Sequence, residues 1–403
     1  MRKAFFLTKI ISSYVLQITN LIIVLVLSAK DYGDLAIIIS LAQFLFVISA
    51  GVTNGALLNI GTRRFLKNGS YHDIVLYRYV ILMASYCVFL LIYYLLDDYI
   101  SSHLDMGSIL PYVFLLSITY ILYEFASQLL YPSGAMFKQV CVDLLMALFL
   151  LGSVFFFVDD ISSYIHAYFS VSMLGFVCTF IMYCKDGSDK SIKYEKTVAT
   201  EVMTFSLWQV MSVISIYFLN YSSNYILMFN DFTSEEIGEV NLAMRLFFGL
   251  AAIFSLAMIV MPRLVHGEKS KFRENVSKYI FCFSLALCGV YLLISLFIRL
   301  GLELFEYEEY VGSAVYMTNL TVAFFCMAYT NLFNSFFSNT SFFKRAQLII
   351  VIQSVGVVSF SMLLISDYRV DGVMFSYTIS YIFSALVCFL IYYKNKDLIL
   401  AEL

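Results

Sequence analysis

The most polar stretch of this chain, Lys185 to Lys196 (KDGSDKSIKYEK), stands between two sets of six apolar runs. Upstream, runs long enough to cross the hydrocarbon core of a bilayer as helices lie near 10–29, 34–60, 76–96, 109–131, 139–158 and 161–184. Downstream they lie near 202–229, 237–261, 279–300, 312–338, 346–366 and 371–393. The pattern predicts an all-α integral membrane protein of twelve transmembrane helices. Its N-terminal six-helix lobe covers 1–184, a flexible cytoplasmic linker 185–200, and a C-terminal six-helix lobe 201–403.

Composition agrees, with 61% hydrophobic residues, 13% charged and three prolines, far from the soluble average. The first run is longer than the apolar region of a signal peptide and meets Lys30 and Asp31 with no small-residue cleavage site, so it reads as a retained helix.

The basic residues give the sidedness. Of 25 lysines and arginines, 21 fall at one set of alternate breaks: Arg2, Lys3 and Lys9; Arg63, Arg64, Lys67 and Arg78; Lys138; Lys185, Lys190, Lys193 and Lys196; Arg263, Lys269, Lys271, Arg273 and Lys278; Lys344 and Arg345; Lys394 and Lys396. Lys30, Arg299 and Arg369 fall on the other side, and Arg245 inside a run. Cytoplasmic loops hold such an excess, so both termini are expected in the cytoplasm of a bacterial inner-membrane protein. The opposite loops are short and acidic, as at Asp97 and Asp98, Asp159 and Asp160, and Glu303 to Glu309. The formal net charge of −3 hides this asymmetry, and nothing points to a nucleic-acid partner.

Enzyme chemistry has little support. The chain has no GxSxG, HExxH or Walker-type loop, and its histidines are scattered, so no catalytic residue is assigned. The eight cysteines lie in or beside apolar runs with no CxxC pair, which argues against disulfides and a metal site.

Polar residues on the runs are more informative, because an ionisable group at the centre of a spanning helix costs roughly 2.5 to 3.5 kcal/mol on insertion scales. Arg245, seven residues past Gly238, is about 10 Å inside the outer end of its helix and matches phosphate oxygens in a bidentate fork. The competing reading has it snorkel, or pair with Glu239. Glu124 lies about 10 Å from the cytoplasmic end of the fourth run and is read either as a coupling carboxyl or as a hydrogen bond between helices. Asp143, close to Lys138, is expected near the interface, with a coupling role the weaker option. Uncharged polar faces include Ser13, Gln17 and Asn20 on the first run, Gln43 and Asn54 on the second, and Asn220 and Asn224 on the seventh. Asn331, Asn334, Ser335 and Ser338 follow on the tenth and Gln353 on the eleventh. Together they suggest a hydrophilic vestibule; singly each is explained by joining helices. The 31 tyrosines and 39 phenylalanines are expected mostly as interfacial anchors and lipid-facing bulk.

The second run opens as Asp31-Tyr32-Gly33-Asp34, and its equivalent in the second half opens as Glu236-Ile237-Gly238-Glu239 and closes as Met261-Pro262-Arg263-Leu264. This weak echo also suits ordinary helix-start chemistry. With twelve runs and no large loop, these features resemble Wzx-type polysaccharide repeat-unit flippases of the multidrug/oligosaccharidyl-lipid/polysaccharide (MOP) superfamily. The resemblance implies two six-helix lobes around a central cavity that opens alternately to each side. The implied substrate is a polyprenyl-diphosphate-linked oligosaccharide, such as an O-antigen unit. Arg245 would bind the diphosphate, and Gln17, Asn20, Gln43, Asn54, Asn224, Asn331 and Asn334 would line the substrate path. Glu124 and Asp143 are the tentative coupling positions. No cofactor is implied beyond coupling to a proton or sodium gradient or to the membrane potential. Membrane lipids, a polysaccharide polymerase and a chain-length regulator are the expected partners. Only one arginine lies clearly within a run, so a fuller phosphate clamp would have to recruit Arg63, Arg64 or Arg78. The rival readings are a cation-coupled multidrug or metabolite antiporter of the same superfamily and, less well supported, a membrane polysaccharide polymerase.

Overall fold

A computed structural model describes residues 8, 11, 12, 14–16, 18, 19, 21–51, 53, 56–101, 109–185, 196–251, 271–305, 307–338 and 342–402. Among these residues there is helix and turn but no strand. Among the described residues seven helices are long and apolar enough to cross a membrane, or eight if one bent pair is a single span, which makes the chain a multi-pass membrane protein. The chain divides into two compact units, Met1–Tyr217 and Phe218–Leu403, meeting within the helix that follows the polar stretch. Residues 186–195 of that stretch, and residues 10, 13, 17 and 20 of the first run, lie outside the described residues.

In the first unit, α1 (Ala29–Phe46) is almost wholly buried and forms the axis of the packing. Ser28 caps it, its hydroxyl accepting from the Asp31 amide at 3.1 Å. Beyond Phe46 the chain winds through two π-helical turns, Val47–Gly51 and Leu57–Gly61. It continues into the short α2 (Thr62–Asn68), which Gly69 ends in the left-handed region at φ 68°. Four long helices follow: α3 (His72–Ser101), α4 (Leu110–Ser127), α5 (Met136–Phe157) and α6 (Ile161–Lys185). α4 packs on both α1 and α6, and α6 packs on α5. Gly175 of α6 lets the Met146 side chain of α5 lie against its backbone, where a Cβ would overlap the sulfur.

The helix α7 (Lys196–Phe229) begins in the first unit, where Val198 and Val202 join a buried cluster with Leu57, Ile60, Tyr71 and Ile74. Its last turns belong to the second unit. There α8 (Ser234–Ala251) opens with a reciprocal capping box: the Thr233 amide donates to Glu236 Oε2 at 3.1 Å and the Glu236 amide to Thr233 Oγ1 at 3.3 Å. The faint sequence echo between the halves is thus cap chemistry in both, a hydroxyl followed three residues later by an acid. Next come α9 (Lys271–Leu304), then α10 (Val311–Asn319) and α11 (Thr321–Ser338), a pair bent by 53° around Leu320.

The last element, α12 (Phe343–Glu402), is continuous in hydrogen bonding but reverses at Arg369, whose φ of 52° and ψ of −133° are not helical. In a straight helix Gly356 and Ser380 would stand about 36 Å apart. Here a Cβ on Gly356 would press on the Ser380 hydroxyl, and one on Gly372 would strike the Leu364 carbonyl. The element is therefore two antiparallel arms, matching the separate runs expected at 346–366 and 371–393.

The tyrosines depart from expectation. Tyr93 donates to the Leu41 carbonyl at 3.0 Å, Tyr217 to Ser40 at 2.9 Å, and Tyr71 to Leu129 at 3.0 Å. In the second unit Tyr291 donates to Met317 at 2.9 Å and Tyr377 to Leu219 at 2.7 Å. All five rings are buried, so these side chains join helices rather than anchor the molecule at the membrane surface. The physical reason is that a phenol buries a large apolar ring while its hydroxyl satisfies a carbonyl's second lone pair.

Two outcomes are expected from thermal unfolding in detergent. Gly175→Leu should lower the midpoint by several degrees, because overpacking costs roughly 1 to 3 kcal/mol. Tyr377→Phe should cost about 0.6 to 1.7 kcal/mol, the range measured for hydrogen bonds between membrane helices.

Candidate functional site

Charge inside the first unit gathers near the starts of α3 and α5 and the end of α4. α3 starts at His72, four residues before the expected start of its run, because Gly69 reverses the chain and Asp73 sits in the first turn of the helix. Arg78 is consequently carried nearly two turns into the helix and is fully buried. This corrects its assignment to a cytoplasmic break. Its Nε donates to Thr53 Oγ1 at 3.2 Å, between the two π turns that follow α1. Its guanidinium lies over the Phe125 ring of α4, 4.7 Å from the centroid. Glu124 is the adjacent residue on α4 and attracts the Arg78 charge; its Oε2 also accepts from Gln128 at 3.4 Å. The arginine is thus bonded by a hydroxyl, covered by an aromatic face and attracted by an acid, contacts that offset part of the cost of a cation in a low-dielectric setting.

Asp143 is buried on α5, 1% exposed, about two turns from the start of the helix. It faces α6 rather than the headgroups: Gln139 donates to Asp143 Oδ1 at 3.1 Å and lies 3.4 Å from Thr179 Oγ1 of α6. The other two arginines proposed for a clamp face carboxylates. Arg64 pairs with Asp73 at 2.7 Å, and Arg63 with Glu201 of α7 at 2.6 Å. Both partners in the latter pair are well exposed, so that pair contributes little to stability.

In the second unit α8 starts at Ser234, so Arg245 lies eleven residues, about 16 Å, along it, deeper than the sequence suggested. The side chain is half-buried with its guanidinium 5.3 Å from the centre of the Tyr221 ring of α7. Glu239, the partner proposed for it, accepts the Gly312 amide of α10 at 3.2 Å. Asn224 is buried, its amide donating to Asn241 Oδ1 of α8 at 3.4 Å. Asn334 is buried beside Cys388 and the aromatic cluster of Phe333, Phe337 and Tyr392, while Asn331 is partly buried on α11. Asn224 and Asn334 therefore sit in helix packing. Gln43 is partly buried on α1. Gln17, Asn20 and Asn54 lie outside the described residues, as does the side chain of Ser335.

Arg78 was the residue most open to detection from sequence. It is flanked by Ile74, Val75 and Leu76 before it and by Val80, Ile81 and Leu82 after it, an apolar continuity that outweighs one charge. Thr53, Phe125, Gln139, Tyr221 and Asn241 carry no comparable signal, since their roles depend on which helices meet.

The fold that carries this arrangement is similar to that of solved membrane transporters. The structure is similar to that of the lipid II flippase MurJ in an inward closed conformation, with a TM-score of 0.71 and 14% identity over 99% of this chain and 89% of that one. It is also similar to a multidrug resistance MATE family transporter of the MOP superfamily. The inward-facing form gives a TM-score of 0.70 and 14% identity over 96% and 95% of the two chains, and the outward-facing form gives 0.60 and 15% over 98% and 96%. No family model and no curated protein sequence matches the chain.

The Arg78 and Glu124 pair should show in a double-mutant cycle. Arg78→Leu alone should destabilise by about 3 to 5 kcal/mol, the cost of breaking a buried pair. Adding Glu124→Gln should recover part of it, with a coupling above about 0.5 kcal/mol read from unfolding in detergent. Additive effects would show that the two charges do not depend on one another.

Proposed function

We propose that this chain is a flippase that carries a polyprenyl-diphosphate-linked oligosaccharide repeat unit from the cytoplasmic to the outer leaflet of a bacterial inner membrane. Twelve crossings, cytoplasmic termini and alternating access belong to the same proposal. The observation that carries it is cationic: each unit holds an arginine within its apolar helices, Arg78 in the first and Arg245 in the second. Such placement is expensive and points to anionic cargo. The likeness to the lipid II flippase supports the flippase reading at the level of fold.

Arg245 is the better candidate for diphosphate contact, because Tyr221 covers one face of a half-buried group, whereas Arg78 is sealed by Thr53, Phe125 and Glu124. With the cell interior negative, outward transfer of two negative charges is favoured by roughly 4.6 kcal/mol at about 100 mV, at about 2.3 kcal/mol per charge. A proton on Glu124 would add to that drive and would weaken its hold on Arg78. Flipping with unchanged pH dependence in Glu124→Gln would remove this coupling role.

A cation-coupled antiporter is the second reading, favoured by the buried carboxylates of the first unit, Asp34, Asp73 and Asp143. The two separate in cells lacking the protein, where a membrane-impermeant sugar-oxidising reagent is applied to spheroplasts. Accumulated single repeat units protected from oxidation support the flippase; accessible ones indicate a polymerase, and no accumulation the antiporter. Arg245→Ala should reproduce the protected accumulation with expression intact, and Arg245→Lys should restore part of the flipping. Wild-type export in Arg245→Ala would remove Arg245 from the site.

A further inference from the structure

A groove of about 460 Å³ runs along the hairpin of α5 and α6. One face of each helix lines it: Phe149, Ser153 and Phe157 recur every four residues on α5, and the α6 side runs from Ser163 to Leu174. The eleven steps from Ser163 to Leu174 span about 16 Å at 1.5 Å each, close to half of a hydrocarbon core about 30 Å thick. The groove, which opens beside the α5–α6 turn, thus matches the depth of one leaflet; on the sidedness expected from the loop charges, that leaflet is the outer one. Phe149 and Phe157 stand as exposed walls, and beside them Gly152 has open space where a side chain would stand.

The polar groups of the groove have spent their protons on their own helices. The Ser153 hydroxyl donates to the Phe149 carbonyl, Ser163 to Asp160 and Ser170 to His166, each at 2.9 Å. His166 Nδ1 lies 2.7 Å from the Ser162 carbonyl, which only accepts, so this nitrogen carries a proton, and Nε2 is the acceptor of the corresponding neutral tautomer. At the surface end stand Asp159 and Asp160. The Ser163 amide and hydroxyl hold the Asp160 carboxyl below the usual carboxylate range, so it is charged at neutral pH. The groove thus combines an apolar trough one leaflet deep with a head that offers negative charge and acceptors.

We propose that this groove binds a phospholipid whose headgroup ends in a primary ammonium, with an acyl chain between Phe149 and Phe157 and the ammonium at Asp159, Asp160 and His166. A primary ammonium brings one positive charge and three donors. A trimethylated ammonium brings the charge without donors, and an anionic glycerol headgroup meets two carboxylates. The site does not depend on the nature of the transported cargo.

The test is native mass spectrometry of the full chain released from nanodiscs of equal parts phosphatidylethanolamine, phosphatidylcholine and phosphatidylglycerol. The wild type should retain one phosphatidylethanolamine with about tenfold preference over either competitor. Asp159→Asn with Asp160→Asn, which keeps the cap acceptors of α6 and removes the charge, should abolish the preference. Gly152→Leu with Ala167→Leu should lower retention of all three lipids. Retention in the bulk ratio, as for annular lipid only, a preference for phosphatidylglycerol, or an unchanged preference in the double asparagine variant would overturn the proposal. Should a variant fail to fold, wild type alone decides: retention falling stepwise as the ethanolamine nitrogen is methylated supports the site, and equal retention across that series overturns it.

Discussion

Inside stacked apolar helices no water is available to complete a hydrogen bond, and polar groups in both units are arranged under that constraint. The tyrosine bonds are its simplest solution. Each phenol takes a carbonyl on a neighbouring helix and surrounds the bond with its own ring, so contact and satisfaction come from one side chain. Tyr217 and Tyr93 place two such bonds on consecutive carbonyls of α1, Ser40 and Leu41, the helix most completely buried in the first unit. The same device recurs in the second unit around Phe247, where Tyr291 stacks on Phe324 with ring centres 4.2 Å apart while its hydroxyl reaches Met317.

Full charges obey the constraint more expensively, and the two units treat them differently. Arg78 is fully buried, with Thr53 and Phe125 against its guanidinium and Glu124 attracting its charge, so it behaves as part of the packing. Arg245 has an aromatic face on one side and a half-buried setting, a geometry closer to a binding group. That difference is one of accessibility, since Arg78 is fully buried and Arg245 is not. The carboxylates divide in the same way: Asp143 is locked to Gln139, while Glu239 holds the start of α10 through the Gly312 amide.

Much of this organisation was legible in the sequence because it rests on length and local chemistry. Apolar runs reappear as helices, the acid at each helix start reappears as a cap, and the reversal at Gly69 needs a residue that accepts positive φ. The acid-rich break near Arg369 was likewise read as separating two runs. What could not be read depends on which faces meet. Asn224 and Asn334 look like path-lining residues on a helical wheel, yet the first meets Asn241 and the second packs beside Cys388. Asp143 looked interfacial by depth along its helix and is buried by rotation about it. Arg78, two residues inside its run, counts with the basic break by sequence position alone, whereas Thr53, Phe125 and Glu124, which surround it, come from distant parts of the chain.

The reversal at Arg369 bears on how the protein is made. The two arms of α12 meet across a turn with almost no loop, held by Arg369 to Glu236 at 2.8 Å and by Asp371 to Asn319 at 3.0 Å. A spanning helix that emerges from synthesis with so short a tether to the next cannot settle independently of it. The arms are expected to enter the bilayer together as one hairpin, and the contacts of Glu236 and Asn319 become available to that hairpin only after α8 and α10 are in place. The order of the chain is in this respect also an order of assembly, with the last two passes closing a unit whose docking points were laid down first.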